Sequence, residues 1–192
     1  ITLMASIPLA HAADINHPVE LPVIDVKAEQ QDTYKTENVS SAKYTQPLLD
    51  TPQTVSVIKK ELLQEQGAAS LVEALRNTPG ITLQLGENGN TSAGDAFQMR
   101  GFSTQSSTFV DGIRDLGAVS RDVFNLEQIE VVKGPSGSET GRGASSGFIN
   151  LVSKLPKAEN NREIGLNWNT ANHKRLTADI NQAINDDVAV RL

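Results

Sequence analysis

The sequence predicts an α+β domain of short strands and short helices, followed by a run of antiparallel amphipathic strands. Three observations carry that expectation. Residues 129–132 (Ile-Glu-Val-Val) and 148–152 (Phe-Ile-Asn-Leu-Val) are apolar runs joined by a connection holding Gly134, Gly137, Gly141, Gly143 and Gly147. No helical period passes through that connection, so it reads as a tight, glycine-built link between two strands. Helix start and stop signals cluster between residues 59 and 80, and apolar and polar residues alternate from Ile164 to the last residue.

Taken in order, Ile1–Ala10 is apolar, and Ala10-His11-Ala12 fits the small-x-small pattern of signal peptidase. The mature chain is therefore expected to start near Ala13, in the periplasm or beyond. Residues 13–50 are polar and broken by Pro18, Pro22 and Pro47, the composition of an extended, mobile arm. Within it Leu21-Pro22-Val23-Ile24-Asp25-Val26-Lys27-Ala28 favours extended backbone, suited to capture by the sheet edge of another protein. From Pro52 a compact domain is expected. Thr54–Ile58 reads as a strand, and Lys59–Gln66 as a helix stopped by Gly67. Ser70 and Glu73 form a capping box that opens a second helix with Leu71, Val72 and Leu75 inward. Pro79-Gly80 ends that helix, and Ile81–Leu85 is the next strand. Residues 86–96 are loop by composition. Phe97–Met99 and Thr108–Val110 are short strands, the latter ending in the turn pair Asp111-Gly112, and residues 113–125 form a long connection.

The last segment has one apolar and one polar face per strand. Ile164, Leu166, Trp168 and Thr170 alternate with Gly165, Asn167 and Asn169, and Leu176, Ala178 and Ile180 alternate with charged or polar neighbours. Val188, Val190 and Leu192 continue the pattern. Two structures fit it: a membrane β-barrel with its apolar side toward lipid, or a soluble meander with that side on a core.

Composition excludes several functions. The chain has 192 residues and a net charge of −6, with no basic stripe interleaved with aromatics, which argues against nucleic acid. It has no cysteine, so disulfides, thiolate metal sites and cysteine nucleophiles are absent, and three scattered histidines do not suggest a metal cluster. The glycine connection is not a Walker loop, because no Gly-x4-Gly pair is followed by Lys-Ser/Thr. No nucleophile–base constellation stands out.

The chain from about Leu21 onward resembles the TonB-dependent outer-membrane receptors. The likeness rests on Asn77-Thr78-Pro79-Gly80-Ile81 after a helix, then Arg100-Gly101, Asp111-Gly112 and Lys133-Gly134-Pro135 in matching order and spacing. Residues 129–154 resemble the last motif of the family's plug domain. Residues 86–90, 94–96, 111–115, 119–122 and 133–137 are similar to those of monomeric-catecholate siderophore receptors. The resemblance implies an α+β plug domain (a small mixed sheet with short helices) followed by the first strands of a transmembrane antiparallel β-barrel. The segments would be a signal-peptide remnant (1–12), a periplasmic arm with a TonB box at about 22–28 (13–50), the plug (51–157) and the start of the barrel (158–192). Enclosing such a plug takes on the order of 22 strands, so the chain is expected to be the N-terminal part of a larger receptor.

The implied activity is import of a ferric siderophore of catecholate type through the outer membrane, energised by TonB, with no chemical step and no enzyme activity. The plug would sit inside the barrel and the arm in the periplasm. Iron would travel as the chelate, with no resident cofactor. The partners would be TonB, the ferric siderophore and outer-membrane lipid around the barrel. Rival readings keep the machinery with another cargo (a hydroxamate, haem, cobalamin or a sugar), or make the chain a soluble binding module. By the resemblance, Val23, Ile24, Asp25, Val26, Lys27 and Ala28 would bind TonB, and Asn88, Gln105, Ser106, Arg114 and Arg121 would face the chelate. Arg100 and Lys133 would be buried against glutamates of the barrel wall; without a wall they would be solvated.

Overall fold

The structure, a computed structural model, describes residues 34–36, 38–87, 94–168, 170 and 173–192, all within the unit Asp32–Leu192. The signal remnant, the box Val23–Ala28 and Asn88 lie outside the described residues.

After a 3-10 turn at Leu48–Asp50 come strand β1 (Thr54–Lys59) and helices α1 (Lys60–Glu65) and α2 (Leu71–Leu75). Strands β2 (Ile81–Leu83), β3 (Phe97–Met99), β4 (Phe102–Ser103), β5 (Thr108–Val110) and β6 (Ile113–Arg114) follow. Strand β7 (Leu126–Lys133), helix α3 (Gly137–Thr140) and strand β8 (Gly147–Ser153) complete the α+β domain. A five-stranded sheet has the order β1-β7-β8-β5-β6, and β2-β3-β4 form a second, smaller sheet. Strand β5 runs parallel to β8 while the other pairs of the large sheet are antiparallel, so it is mixed, as expected.

The large sheet is central because β7 and β8 are apolar on both faces. Ile129 and Val131 pair with Leu151 and Ile149, and with Ile58 they face Leu63 of α1 and Leu71, Ala74 and Leu75 of α2. The opposite face carries a smaller cluster of Phe109, Val132, Ala144 and Phe148, with the two phenyl rings edge-to-face at 5.6 Å. Strand alternation puts Glu130 and Asn150 on that second face, directly opposite one another. The capping box forms with a shift of one residue. Ser70 Oγ accepts the Glu73 N–H at 3.4 Å, while Glu73 Oε2 accepts the N–H of Ala69 at 2.7 Å.

Several details depart from the sequence reading. The glycine connection contains one helical turn, α3, whose Thr140 hydroxyl bonds back to the Ser136 carbonyl at 2.8 Å. Strands β4 and β6 were not expected; each has two residues and exists only through its hairpin partner. Strand β2 stops at Leu83 rather than Leu85, whose side chain is exposed. The described part of the arm packs along the domain through hydrogen bonds from Tyr34, Ser40 and Lys43.

Strands β9 (Asn161–Trp168), β10 (Lys174–Ala183) and β11 (Ala189–Arg191) form an antiparallel sheet in the order β11-β10-β9. Leu166 pairs with Leu176 and Ile164 with Ala178, so the apolar residues gather on one face. That face points away from the domain, with Leu166 78% and Leu176 73% exposed. The polar face points inward, and Asp179 and Asn181 are buried. A soluble meander seating its apolar side on a core is therefore not what forms. A contiguous exposed apolar patch of this kind marks an interaction surface, here of the type a barrel wall presents to lipid.

Candidate functional site

Arg100-Gly101 and Asp111-Gly112 are two-residue hairpin turns with positive φ at both positions, 51° and 84° in the first and 50° and 78° in the second. This mirror-image turn matches the twist of the flanking strands. Aspartate tolerates it, whereas arginine is held there against a steric cost of about 1–2 kcal/mol. Asp111 secures its turn by accepting the Ser153 N–H at 2.7 Å, and Asn150 Oδ1 accepts the Gly112 N–H at 3.0 Å. Arg100 is exposed, as expected where no barrel wall covers it, because the turn projects it from the edge of the small sheet. Lys133 is half-buried, with Nζ 3.3 Å from Ser56 Oγ. Burial, and then the nearby Arg100 guanidinium, lower the Lys133 pKa. Two like charges thus share one corner, and no acid among the described residues forms a salt bridge with either.

Arg114 ties three segments together. Its guanidinium donates to the carbonyls of Ser106, Thr140 and Arg142, and it lies 4.9 Å from the centroid of the Phe109 ring. These acceptors are neutral, so the positive charge stays uncompensated. Ser106 and Gln105 are exposed beside it. The structure thus brings Gln105, Ser106 and Arg114 together as one polar, electropositive corner.

Arg121, also expected to face the chelate, is held differently from Arg114. All five of its side-chain N–H groups are used. Nε and Nη2 donate to Asp115 Oδ2 at 3.0 and 2.7 Å, Nη2 also to the Gly117 carbonyl at 2.9 Å, and Nη1 to Asp95 Oδ2 at 3.3 Å and the Val119 carbonyl at 3.1 Å. Two carboxylates outweigh its charge, and no donor is left for an anion. Arg121 is a clamp that closes the loop 115–121 on residues 94–96. Gly94 makes this possible, since a Cβ there would lie 2.6 Å from the Ala118 carbonyl carbon. Asp95 is buried with Oδ1 unpartnered; burial raises its pKa against the opposing pull of Arg121. The Gly117 N–H, then Arg121, lower the pKa of Asp115.

Arg121→Ala is expected to leave Asp95 as an unpaired buried carboxylate, at a cost of about 3 kcal/mol. Hydrogen exchange at the amides of residues 115–121 should accelerate by about two orders of magnitude. In the unaltered protein the Asp115 contribution is complete above the ordinary aspartate pKa of about 3.9 and is lost as pH falls through its depressed folded value. Asp95, with a raised pKa, contributes in the opposite sense. The Gly117 amide, which donates to Asp115 at 2.9 Å, is the probe that isolates the first effect: its protection should fall in acid.

A third cluster joins the domain to the β9–β11 sheet. Asp179 on β10 receives Lys154 Nζ at 2.7 Å and Arg191 Nη2 at 2.7 Å, and all three side chains are at least nine-tenths buried. Gln64 Nε2 bonds Glu163 Oε1 at 2.7 Å, and Arg175 pairs with Asp122 at 2.6 Å. Between these contacts lies a cleft of about 240 Å³ lined by Lys60, Phe124, Arg175 and Thr177 among others; Gln105, Ser106 and Arg114 are not part of it.

Residues 47–148 match the family model of the TonB-dependent receptor plug domain, which is more than half of the chain. The chain belongs to the TonB-dependent receptors. It is 44% identical over 168 residues to the catecholate siderophore receptor Fiu of Escherichia coli K12, covering 87% of this chain and 22% of that protein. It is 43% identical over 192 residues to the probable TonB-dependent receptor BfrD of Bordetella pertussis, covering 100% of this chain and 25% of that protein. The crystal structure of the siderophore receptor PiuA from Acinetobacter baumannii superposes with a TM-score of 0.77 at 40% identity, covering 82% of this chain and 22% of that one. The chain therefore spans about a quarter of the receptors it resembles, and the α+β domain is the plug.

The residues that sequence reasoning missed are the acids. Asp95 reaches Arg121 across 26 residues and Asp179 of β10 meets Lys154 across 25, so no local spacing announces those two. The one available signal was the pairing of Asp115 with Arg121 inside a short glycine-containing loop.

Proposed function

We propose that this chain is the N-terminal part of an outer-membrane transporter that imports a ferric siderophore of catecholate type, energised by TonB. The reading rests on one observation above others: 44% identity over 168 residues to a catecholate siderophore receptor. The uncompensated charge of Arg114 beside Gln105 and Ser106 supports it, because a low-dielectric mouth lined by positive charge concentrates an anionic chelate. In this reading Asn88 is a further chelate-facing residue, and β9–β11 are the first staves of a lipid-facing barrel. Arg100 and Lys133 await carboxylates on the far wall, which would relieve their mutual repulsion and lock the plug. The box Val23, Ile24, Asp25, Val26, Lys27 and Ala28 adds as a strand to TonB, a mode that uses main-chain hydrogen bonds.

The test uses the complete receptor. Ferric tris-catecholate is expected to bind more tightly than a ferric hydroxamate, and Ile24→Pro is expected to leave that binding unchanged while abolishing uptake. Preference for the hydroxamate would reassign the cargo. Uptake at the unaltered rate in Ile24→Pro would move the coupling box elsewhere.

A further inference from the structure

The arm crosses the plug as a strap with no core of its own. Among the described residues from Tyr34 to Gln46 none is buried. The segment is held at polar points. The Tyr34 hydroxyl donates to Glu65 at 2.5 Å, Lys59 Nζ donates to the Lys35 carbonyl at 3.2 Å, and Lys43 Nζ donates to the Glu139 carbonyl. Between these the backbone N–H of Ser40 donates to Glu130 Oε1 at 2.5 Å, and Asn150 Nδ2 donates to Ser40 Oγ at 3.3 Å.

Glu130 is an unusual group to find beneath such a strap. It is 1% exposed, on the central strand β7, and no cation among the described residues forms a salt bridge with it. Its charge is met by N–H donors alone: Gln128 Nε2 at 2.7 Å, Asn150 Nδ2 at 2.9 Å, and Ser40 N. Two of these donors belong to the sheet and stay put. The third leaves whenever the arm leaves. A buried carboxylate that loses a donor is destabilised, and Glu130 faces Val57 of β1 in the strand register. Among the described residues strand β1 is the edge of the sheet and pairs with β7. The state of the arm is therefore felt first at the one strand of the large sheet that continues directly into it.

We propose that Glu130, with Asn150, is the docking point of the coupling arm, a positioning residue that holds the strap between import events and from which the strap lifts when the arm is pulled. The proposal rests on the reading of this chain as a TonB-coupled transporter. Ser40 lies twelve residues after the end of the box, Ala28, so tension from the box reaches the strap before any core strand. With Val39 and Tyr44 only half-buried and no described side chain of the segment fully buried, the strap is held chiefly by its polar contacts.

Two measurements on the complete receptor test this. Glu130→Gln keeps the shape and removes the charge. Protease cleavage within residues 34–46 is expected to accelerate about tenfold or more, the change that corresponds to one weakened charge-assisted hydrogen bond, while affinity for ferric tris-catecholate stays unchanged. In the second, Lys43→Cys and Glu139→Cys are bridged by a short bismaleimide. The bridged receptor is expected to bind the chelate normally but import it at least tenfold more slowly, while each single-cysteine variant treated with the same reagent imports normally. Unaltered cleavage in Glu130→Gln, or normal import by the bridged receptor, would overturn the proposal. If the unaltered receptor imports no ferric catecholate, the functional reading itself fails, and the cleavage comparison still decides whether Glu130 holds the strap.

Discussion

Replacing Gly147 with alanine is expected to prevent the plug from folding. Gly147 opens β8 and pairs with Lys133, at a φ of +122° that L-residues rarely adopt. A Cβ there would lie 2.0 Å from the Val132 carbonyl oxygen, 2.8 Å from Met99 Sδ and 3.0 Å from the Lys133 Cα. Two of these three atoms are backbone of the neighbouring central strand, so no rotamer change relieves the clash. The strands must part where Val132 meets Phe148 and Val131 meets Ile149, and all four of those side chains are buried. Strain at a special φ combined with loss of core packing costs more than about 4 kcal/mol, a large share of the stability of any domain. Gly137→Ala is the control. Nothing lies within 4 Å of its added Cβ and its φ is not positive, so the plug should be as protease-resistant as before. If both variants resist equally, the tight approach of β8 to β7 is not what holds the sheet.

Asp179→Ala is expected to separate the plug from the β9–β11 sheet. The carboxylate serves Lys154 and Arg191 together, with Arg191 Nε also 2.8 Å from Oδ1. Removing it leaves two buried cations facing one another, and breaking a buried pair costs about 3–5 kcal/mol. Lys154 keeps only the face of Phe124, 5.2 Å from its ammonium, and the Asn125 carbonyl that its backbone N–H already uses. Lys154 should become reactive to amine-modifying reagents in the complete receptor, while Lys157→Ala serves as the contrast. That exposed lysine pairs with Glu127 at 3.1 Å, an arrangement worth under about 1 kcal/mol. Equal stability of the two variants would show that the Asp179 cluster does not carry the junction.

What the sequence disclosed follows from how local each feature is. The turn Asp111-Gly112 and strands β3 and β5 were legible because turn chemistry and a three-residue apolar run are local properties. The alternation in β10 was legible for the same reason, although its direction was not: the same pattern serves a core or a membrane, and only packing against Lys154 and Asp122 orients it. Strands β4 and β6 stayed hidden because two residues carry no period. Helix α3 stayed hidden because glycine and serine argue against a helix, and the carbonyl contacts of Arg114 that brace it come from far along the chain. The partners of Arg121 stayed hidden for the most general reason. A loop arginine reads as available until the acids that saturate it, Asp95 and Asp115, are placed around it. The arm was read as loose because it is polar, and polarity does not reveal that Glu130 waits beneath it.

The polar contacts of β9 and β10 fix how the β9–β11 sheet sits on the plug. Asp179 meets Lys154, Arg175 meets Asp122 and Glu163 meets Gln64. Three tethers spread over two strands define an orientation that a single tether would leave free to pivot. The sheet is thereby registered on the plug and does not swing from the short link between Ser153 and Asn161.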